Sequence, residues 1–249
     1  MDNAHPTTDV PGLGWAHRAP RTRLRVAPWQ GRSAVVMVGP RRDGRPTALP
    51  DVLQCLRAIS HRGAEQAFTA AMSPRDGQPF VQAGFELHER LHLLSLRLDG
   101  RGRATPGRRT FRGRPWHLRA VLDIDRQAFD PFWRFDARTL KEAREATPVS
   151  RYRVARLDDR ANGPLVGYAV TGRAGPRGYL QRLAIEPAAA GRGFGTLLID
   201  DALLWLSARG VHTVMVNTQE TNVRALDLYR RIGFVSEPEG LVVLRWTAA

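Results

Sequence analysis

The sequence predicts an α/β (α+β) fold, with strands and helices interleaved about a sheet, and three stretches carry that prediction. A strand candidate, Tyr179 to Ile185, passes into a glycine-rich turn, Gly191 to Gly195, and on into an amphipathic helix that stops at Gly210. Upstream, SRYRVARLDD and PLVGYAVTGRAGPRGYLQRLAIEP read as three successive antiparallel strands, the last two joined by a turn at Gly175 to Gly178. Finally, landmarks of the C-terminal part recur near the N-terminus. SHRG at Ser60 to Gly63 matches SARG at Ser207 to Gly210, and FVQAGF at Phe80 to Phe85 matches YRRIGF at Tyr229 to Phe234. The two glycines of each pair are 21 and 23 positions apart, and each pair precedes a Leu-rich strand, which implies duplicated structure.

Composition narrows the classes. At 249 residues the chain can bury a sizeable core, and it holds no apolar run near the eighteen residues of a membrane helix. The N-terminus lacks a basic segment followed by an apolar one, so the expected compartment is cytoplasmic, with no membrane partner. Cys55 is the only cysteine, which excludes an internal disulfide and a Cys-based zinc cluster; among the apolar positions of DVLQCLRAI it reads as core. The 38 Lys+Arg against 24 Asp+Glu give +14, a balance that suits nucleic acid or an anionic ligand. All those cations except Lys141 are Arg, a bias that codon usage in a GC-rich genome produces equally well. The charge also concentrates in Gly/Pro-rich runs, Arg41 to Arg45 and Arg101 to Arg114, which read as solvated linker. Nucleic-acid binding is therefore a secondary reading, and the sequence does not decide between monomer and homodimer.

In order, residues 1–20 read as a flexible tail and 21–98 as a half-domain. That half holds strands Thr22 to Ala27 and Ser33 to Val38, then a helix with Val52, Leu53, Leu56 and Ile59 inward and Gly63 as its stop. A strand at Phe68 to Met72, a short helix near Pro79 to Ala83 and a long strand from Phe85 to Leu98 follow. His88, Glu89 and His92 spell H-E-x-x-H, but the zinc reading of that pattern needs a helix. On the predicted strand the two histidines would stand about 13 Å apart, too far for one metal, so no metal is expected. Residues 99–107 form a basic linker and 108–249 a second domain. It opens with strand TFRGR, then a helix begun by Pro115 with Trp116, Ala120 and Leu122 to Ile124 as its apolar face, then a second helix carrying Phe132, Trp133 and Phe135.

The strand, glycine turn and helix N-terminus make an anion site, because first-turn amides lack intrahelical partners, the helix dipole is positive there, and glycine lets a phosphate approach. The spacing is too short for a P-loop, and no acidic ribose ligand follows as a dinucleotide fold requires. The run Ala190, Gly191, Arg192, Gly193, Phe194, Gly195 instead resembles the acyl-CoA motif Q/R-x-x-G-x-G/A of the GNAT superfamily of N-acetyltransferases, with Ala190 where the family usually has Gln or Arg. NVRALDLYRRIGF resembles the family's N-x-x-A-x-x-L-Y-x-x-x-G-F helix at Asn222, Ala225, Leu228, Tyr229, Gly233 and Phe234. Ala225, Leu228, Tyr229 and Ile232 fall on one helical face, which makes a plain core role for Tyr229 the alternative to a chemical one.

The resemblance implies a GNAT fold, a central mixed, mostly antiparallel sheet flanked by helices, preceded by a truncated GNAT-like half as in tandem-GNAT proteins of the mycothiol synthase type. It implies acetyl-CoA as cosubstrate, an amine acceptor as partner, and acetyl transfer to a primary amine of a small molecule, protein N-terminus or lysine. Carried over position by position, the amides of Leu183 and Ile185 hold the pantetheine arm, and those of Gly191, Gly193 and Gly195 the diphosphate. Arg192, Phe194 and Thr196 complete that cradle, Asn222 contacts CoA or substrate, and Tyr229 protonates the leaving thiolate. The family's frequent Glu early in the strand is absent from GYLQRLAI, so Glu220, after VMVNTQ, is the substitute candidate base. The N-terminal half has no glycine cradle and has Phe80 in place of Tyr229, so it is not expected to be a second active site. Ala190 and the missing carboxylate motivate the competing reading, a GNAT-fold protein that holds acyl-CoA as a sensor or serves assembly, and the basic charge motivates a third, an RNA- or ribosome-associated acetyltransferase.

Overall fold

A computed structural model describes residues 22–30, 32–40, 45–98, 109–158 and 163–248. The predicted tail, the basic linker and most of Arg41 to Arg45 lie outside the described residues. The rest group into two compact units, one ending at Leu91 and resuming at Glu239, the other running from His92 to Pro238.

The first unit contains β1 (Leu24–Trp29), β2 (Arg32–Pro40), α1 (Leu49–Ser60), β3 (Gln66–Thr69), α2 (Pro74–Gln82), the start of β4 (Glu86–Arg97) and β11 (Leu241–Thr247). Its strand order is β1-β2-β3-β11-β4. The sequence divides the chain in the basic linker; the compact units divide elsewhere, because β11 pairs with β3 (Arg245↔Phe68) and with β4 (Leu241↔Leu91). Helix α1 buries Val52, Cys55, Leu56 and Ile59 against Val36, Val38, Ala67, Phe80 and Phe85. Helix α2 starts five residues before the predicted Pro79, because Ser73 caps it by accepting from the Asp76 amide at 3.1 Å.

The second unit orders its strands as β4-β9-β8-β7-β6-β5, with the short β10 (Val235–Ser236) on β4. These are β5 (Phe111–Arg112), β6 (Val149–Arg156), β7 (Leu165–Ala174), β8 (Arg177–Ile185) and β9 (Thr213–Gln219). β5 through β8 are antiparallel and β8–β9 parallel. Alternation along β7 assigns the two faces from Gly167 onward, and a bulge that leaves Val166 as an extra residue turns it to the face of Ala169. Tyr168 and Val170 pack with Val121 and Ile124 of α3 (Leu118–Ala128) and Leu140 of α4 (Ala137–Glu145), whereas Val166 and Ala169 pack with Phe194, Leu197 and Leu198 of α5 (Phe194–Ser207). Helix α6 (Val223–Ile232) buries Leu226 and Tyr229 in the same core as Leu203 and Leu206 of α5. Leu226, absent from the predicted face, is thus one of its two buried anchors.

Two predicted helices differ. Pro115–His117 form a 3-10 turn before α3, whose inward residues are Val121, Ile124 and Asp125, while Trp116 is 74% exposed. Phe132 and Trp133 lie in a 3-10 turn and Phe135 before α4, because Asp136 starts that helix by accepting from the Thr139 amide at 2.7 Å.

The repeat has structural counterparts. Gly84 (φ +93°) and Gly233 (φ +108°) end α2 and α6 in the left-handed conformation, and Phe85 and Phe234 each donate an amide hydrogen bond of 3.0 Å to the carbonyl of Phe80 and Tyr229. The ring pairs Phe80–Phe85 and Tyr229–Phe234 stand edge-on at 5.3 and 5.6 Å. β2 and β3 are parallel, as β8 and β9 are.

Asp201 of α5 ties the helix to the sheet. It accepts from Arg151 Nε at 2.7 Å and Nη2 at 2.9 Å and from Thr110 Oγ1 at 2.7 Å, while Arg153 Nε donates to that hydroxyl at 2.8 Å. Burial raises its carboxyl pKa, but the hydrogen bonds from Arg151 and Thr110 and the charges of Arg153 and Arg151 outweigh it and hold the group below the ordinary value. A depressed carboxyl contributes stability above its unfolded pKa of about 3.9 and loses it as pH falls through the folded value. Asp201→Ala is expected to cost about 2–3 kcal/mol in urea unfolding at pH 7 and to shed the part of the acid-side loss below about pH 4 that Asp201 causes.

Candidate active site

β8 and β9 are paired only from Arg177↔Thr213 to Tyr179↔Met215, yet β8 continues to Ile185 and β9 to Gln219. Beyond Tyr179 the two strands part, while β8 stays on β7 as far as Ile185↔Gly167. The Glu186 amide donates to the Val166 carbonyl at 2.8 Å, on the β7 side. Because successive amides face alternate sides of a strand, that of Ala184 also faces β7, and those of Leu183 and Ile185 face the side β9 has left. A bulge opposite Val170 and Thr171 gives β8 one extra residue, Gln181, at the start of the separation. In the repeated half, β2 and β3 stay paired through Val38↔Thr69, with no such gap.

Past Ile185 the chain makes a 3-10 turn, Pro187–Ala189, and enters α5 at Gly193, whose φ of +85° is left-handed and which offers no side-chain cap. A Cβ on Gly191 or Gly193 would meet nothing within 4 Å, so backbone conformation, not crowding, requires glycine there. Gly195 differs, since a Cβ there would stand 2.9 Å from Leu228 Cδ2; its bareness lets α5 approach α6. The amides of Gly193, Gly195 and Thr196 have no hydrogen-bond partner among the described residues, and Gly191, Arg192 and Gly193 are exposed. Phe194 is buried, and the Arg192 guanidinium lies 5.7 Å from its ring centre.

Two other helix starts, those of α1 and α6, are self-occupied. In α1, the counterpart of α5, Asp51 in the first turn accepts from the Ala48 amide at 3.4 Å, which places a carboxylate where an anion would sit. In α6 the Asn222 Oδ1 accepts from the Ala225 amide at 3.1 Å, so that oxygen is committed to the cap. Helix α5 has neither device, and no acidic residue in its first turn.

Tyr229 is buried, and burial holds its phenol well above the ordinary pKa, with the Arg182 guanidinium pulling the other way. Glu220 stands exposed in the turn after β9. Leu183 and Ile185 pack with Phe194 and Leu197, which leaves their backbone as the part available on the open side.

The motif spacing gives no hint of a buried ionic network next to these residues. Arg182 of β8 donates from Nε and Nη2 to Asp125 of α3, both at 2.8 Å, and from Nη2 to the Trp133 carbonyl at 2.7 Å. Its guanidinium carbon lies 3.3 Å from the ring centre of Phe129 and 3.9 Å from that of Phe135. Tyr168 donates its hydroxyl to Asp125, and the Phe135 amide donates to Asp125 Oδ1 at 2.7 Å. Arg182 is 8% exposed and Asp125 fully buried, so removing either partner strands a charge at a cost of about 3–5 kcal/mol. The available signals were an acid amid the apolar positions of VLDIDRQAF and an arginine inside an apolar strand.

His88 and His92 both lie on β4, a strand, and the His88 ring meets Phe68 edge-on at 4.9 Å. The helical zinc geometry of H-E-x-x-H is therefore not formed. Among the described residues no helix is long and apolar enough to cross a membrane.

With this geometry in hand, comparison with known proteins is decisive. Residues 118–234, which hold the split strand, the glycine turn and Tyr229, match the model of the acetyltransferase (GNAT) family. The chain is 32% identical over 114 residues to the ribosomal protein bS18-alanine N-acetyltransferase of Haemophilus influenzae, covering 46% of this chain and 72% of that one. The chain belongs to the GNAT family. A mycothiol acetyltransferase from Beutenbergia cavernae is 30% identical over 190 residues, 75% of this chain. The chain spans 60% of that relative and 30% of a second mycothiol acetyltransferase from Acidimicrobium ferrooxidans. A tandem GNAT protein of clavulanic acid biosynthesis, 16% identical, superposes with a TM-score of 0.67 over 91% of this chain and 78% of its own, which supports the tandem GNAT fold.

In this GNAT chain the left-handed Gly193 should be intolerant of a side chain even though space is open. Gly193→Ala is expected to lower the unfolding free energy by about 1–2 kcal/mol in a denaturant titration. A variant as stable as the parent would show that the turn adopts another conformation.

Proposed function

We propose that the protein is an N-acetyltransferase that moves the acetyl group of acetyl-CoA to a primary amine by direct attack. The observation that carries this reading is the pairing of two features on one strand-to-helix connection: the Leu183 and Ile185 amides on the open side of β8, and the uncapped N-terminus of α5. The first suits the amide groups of a pantetheine arm, the second its diphosphate. Gly191, Gly193, Gly195 and Thr196 supply the phosphate-facing backbone, Arg192 a cation beside it, and the Asn222 side-chain nitrogen a further donor. The family membership and the acetyltransferase names of its relatives point the same way.

The neutral amine attacks the thioester carbonyl carbon and the C–N bond forms. Negative charge gathers on the carbonyl oxygen, where a β8 amide supports it, and collapse then breaks the C–S bond. Tyr229, kept protonated by burial, gives its proton to the departing thiolate and recovers one from water. The proton released by nitrogen leaves through water or Glu220, the exposed carboxylate at the end of β9.

Incubation with labelled acetyl-CoA and a panel of primary amines should give steady acetylation, and Tyr229→Phe should lower kcat by about 10²–10³-fold while acetyl-CoA affinity by calorimetry stays the same. Binding of acetyl-CoA without turnover of any amine would favour an acyl-CoA-binding role, which the Ala190 departure from the family motif makes the second reading.

A further inference from the structure

Three N–H donors meet without an acceptor between β6 and the start of α3. The Arg114 amide donates to His117 Nδ1 at 3.2 Å, so the ring proton of a neutral His117 sits on Nε2. That nitrogen stands 3.1 Å from Arg156 Nη2, which has only protons to offer. Arg156 Nη1 donates to the Gly163 carbonyl, but its Nε is buried and has no hydrogen-bond partner among the described residues. His117 is 7% exposed, and burial, with the charges of Arg156 and Arg114, holds its pKa below the ordinary value and so keeps it neutral. Buried donors without an acceptor are costly, and an oxyanion that accepted from His117 Nε2 and Arg156 together would relieve all three. The Nε and Nη2 edge of an arginine is the fork that takes two phosphate oxygens.

What borders these donors selects the anion. The Arg156 guanidinium carbon lies 5.4 Å from the ring centre of Phe111, and that of Arg109 lies 5.2 Å from the same ring. Through His117 the cluster continues to Trp116, whose ring stands edge-on to the imidazole at 5.8 Å and has the Arg114 guanidinium carbon 5.7 Å from its centre. Arg109 and Arg114 are exposed, and Trp116, at 74%, is too exposed to serve the core. Asp158 approaches from the Gly163 side and is exposed, but between Gly100 and Leu122 the sequence holds seven arginines and no acid. Cations interleaved with a bare indole suit a chain of phosphates that carries planar bases, whereas an acidic peptide would leave the indole unused.

We propose that this surface of the second unit binds single-stranded nucleic acid: a phosphate enters between His117 Nε2 and Arg156, neighbouring phosphates meet Arg114 and Arg109, and a base stacks on Trp116. The inference does not depend on the acetyl-CoA assignment. A net charge of +14 draws any polyanion, and composition alone does not separate that from codon usage. The orphaned donors do separate them, because a mere surplus of arginine gives solvated side chains and not a half-buried guanidinium that faces a histidine N–H. Stacking tolerates any base, so no sequence preference is expected, and a duplex, whose bases are already stacked, binds less well.

The test follows the fluorescence anisotropy of a labelled single-stranded RNA of about ten nucleotides, a length within the site sizes of such surfaces, as the full chain is added. Binding should saturate at about 50 mM salt and weaken about 20-fold at about 200 mM, the loss for three phosphate contacts on a single strand. Trp116→Ala should weaken it about 10-fold at both salt concentrations. Arg156→Met should weaken it about 10-fold at the lower salt and flatten the salt slope, while the midpoint of thermal unfolding stays unchanged because the donors it removes had no acceptor. No binding at the lower salt, equal affinity for a duplex of the same length or for an oligoglutamate of matching charge, or unchanged affinity in Trp116→Ala would each overturn the proposal. An Arg156→Met protein that loses stability but keeps its RNA affinity would also overturn it, since the cluster would then be a structural contact. If that variant fails to fold, Trp116→Ala and the duplex and oligoglutamate comparisons still decide.

Discussion

The separation of two parallel strands is the constraint from which the rest of the site follows. β8 and β9 pair for three residues and then diverge, so the outer edge of β8 from Leu180 to Ile185 lacks the neighbour that a central strand requires. Backbone amides without a partner are costly when buried and useful when a ligand supplies the acceptors. Directly after this edge the chain turns through Gly193 into α5, whose first amides are likewise open and whose dipole is positive toward the same end. A ligand that combines an amide-bearing arm with a diphosphate answers both needs at once, which is why the acetyl-CoA reading uses backbone geometry more than any side chain.

Side chains do the complementary work of holding the wall opposite. α3, the segment around Phe129 to Phe135 and strand β8 meet at one buried ion pair, Asp125–Arg182, with Tyr168 beneath it. A buried pair of this kind is not in itself a source of stability, because desolvation offsets most of the attraction. Its value is geometric: two parallel hydrogen bonds, a bond to the Trp133 carbonyl and two aromatic faces leave the guanidinium one orientation. On the other face, Asp201 performs a similar task more openly by binding α5 to β6 through Arg151.

Much of this could be read in the residues, and the limits have physical causes. Features set by local backbone demands were legible: the left-handed glycine stops at Gly63 and Gly210, the antiparallel run from β6 to β8, the strand status of HERLH, and the glycine turn into α5. Features set by distant partners were not. The C-terminal strand joins the unit that begins at the N-terminus because β11 pairs with β3, a contact between residues more than 170 positions apart for which no local pattern codes. The aromatic segment was expected to lie in one helix, but the hydrogen bond from the Phe135 amide to Asp125 and the cap at Asp136 divide it into a 3-10 turn at Pro131–Trp133 and an extended step before α4. Arg182 escaped notice for the same reason, since its partner Asp125 lies 57 positions away.

The repeat shows how one framework gives two outcomes. In the first unit the matched helix α1 carries Asp51 in its opening turn, β2 and β3 remain paired, and Phe80 replaces Tyr229. Each difference removes one element of the proposed chemistry while the hydrophobic frame stays, so the half reads as a structural copy. The central claim is that the bare start of α5 cradles the diphosphate of CoA, and a crystal structure with CoA bound tests it most directly. The account predicts phosphate oxygens within hydrogen-bond distance of the Gly193, Gly195 and Thr196 amides, with the pantetheine arm along Leu183 and Ile185. CoA bound elsewhere, with those amides left to water, would contradict it.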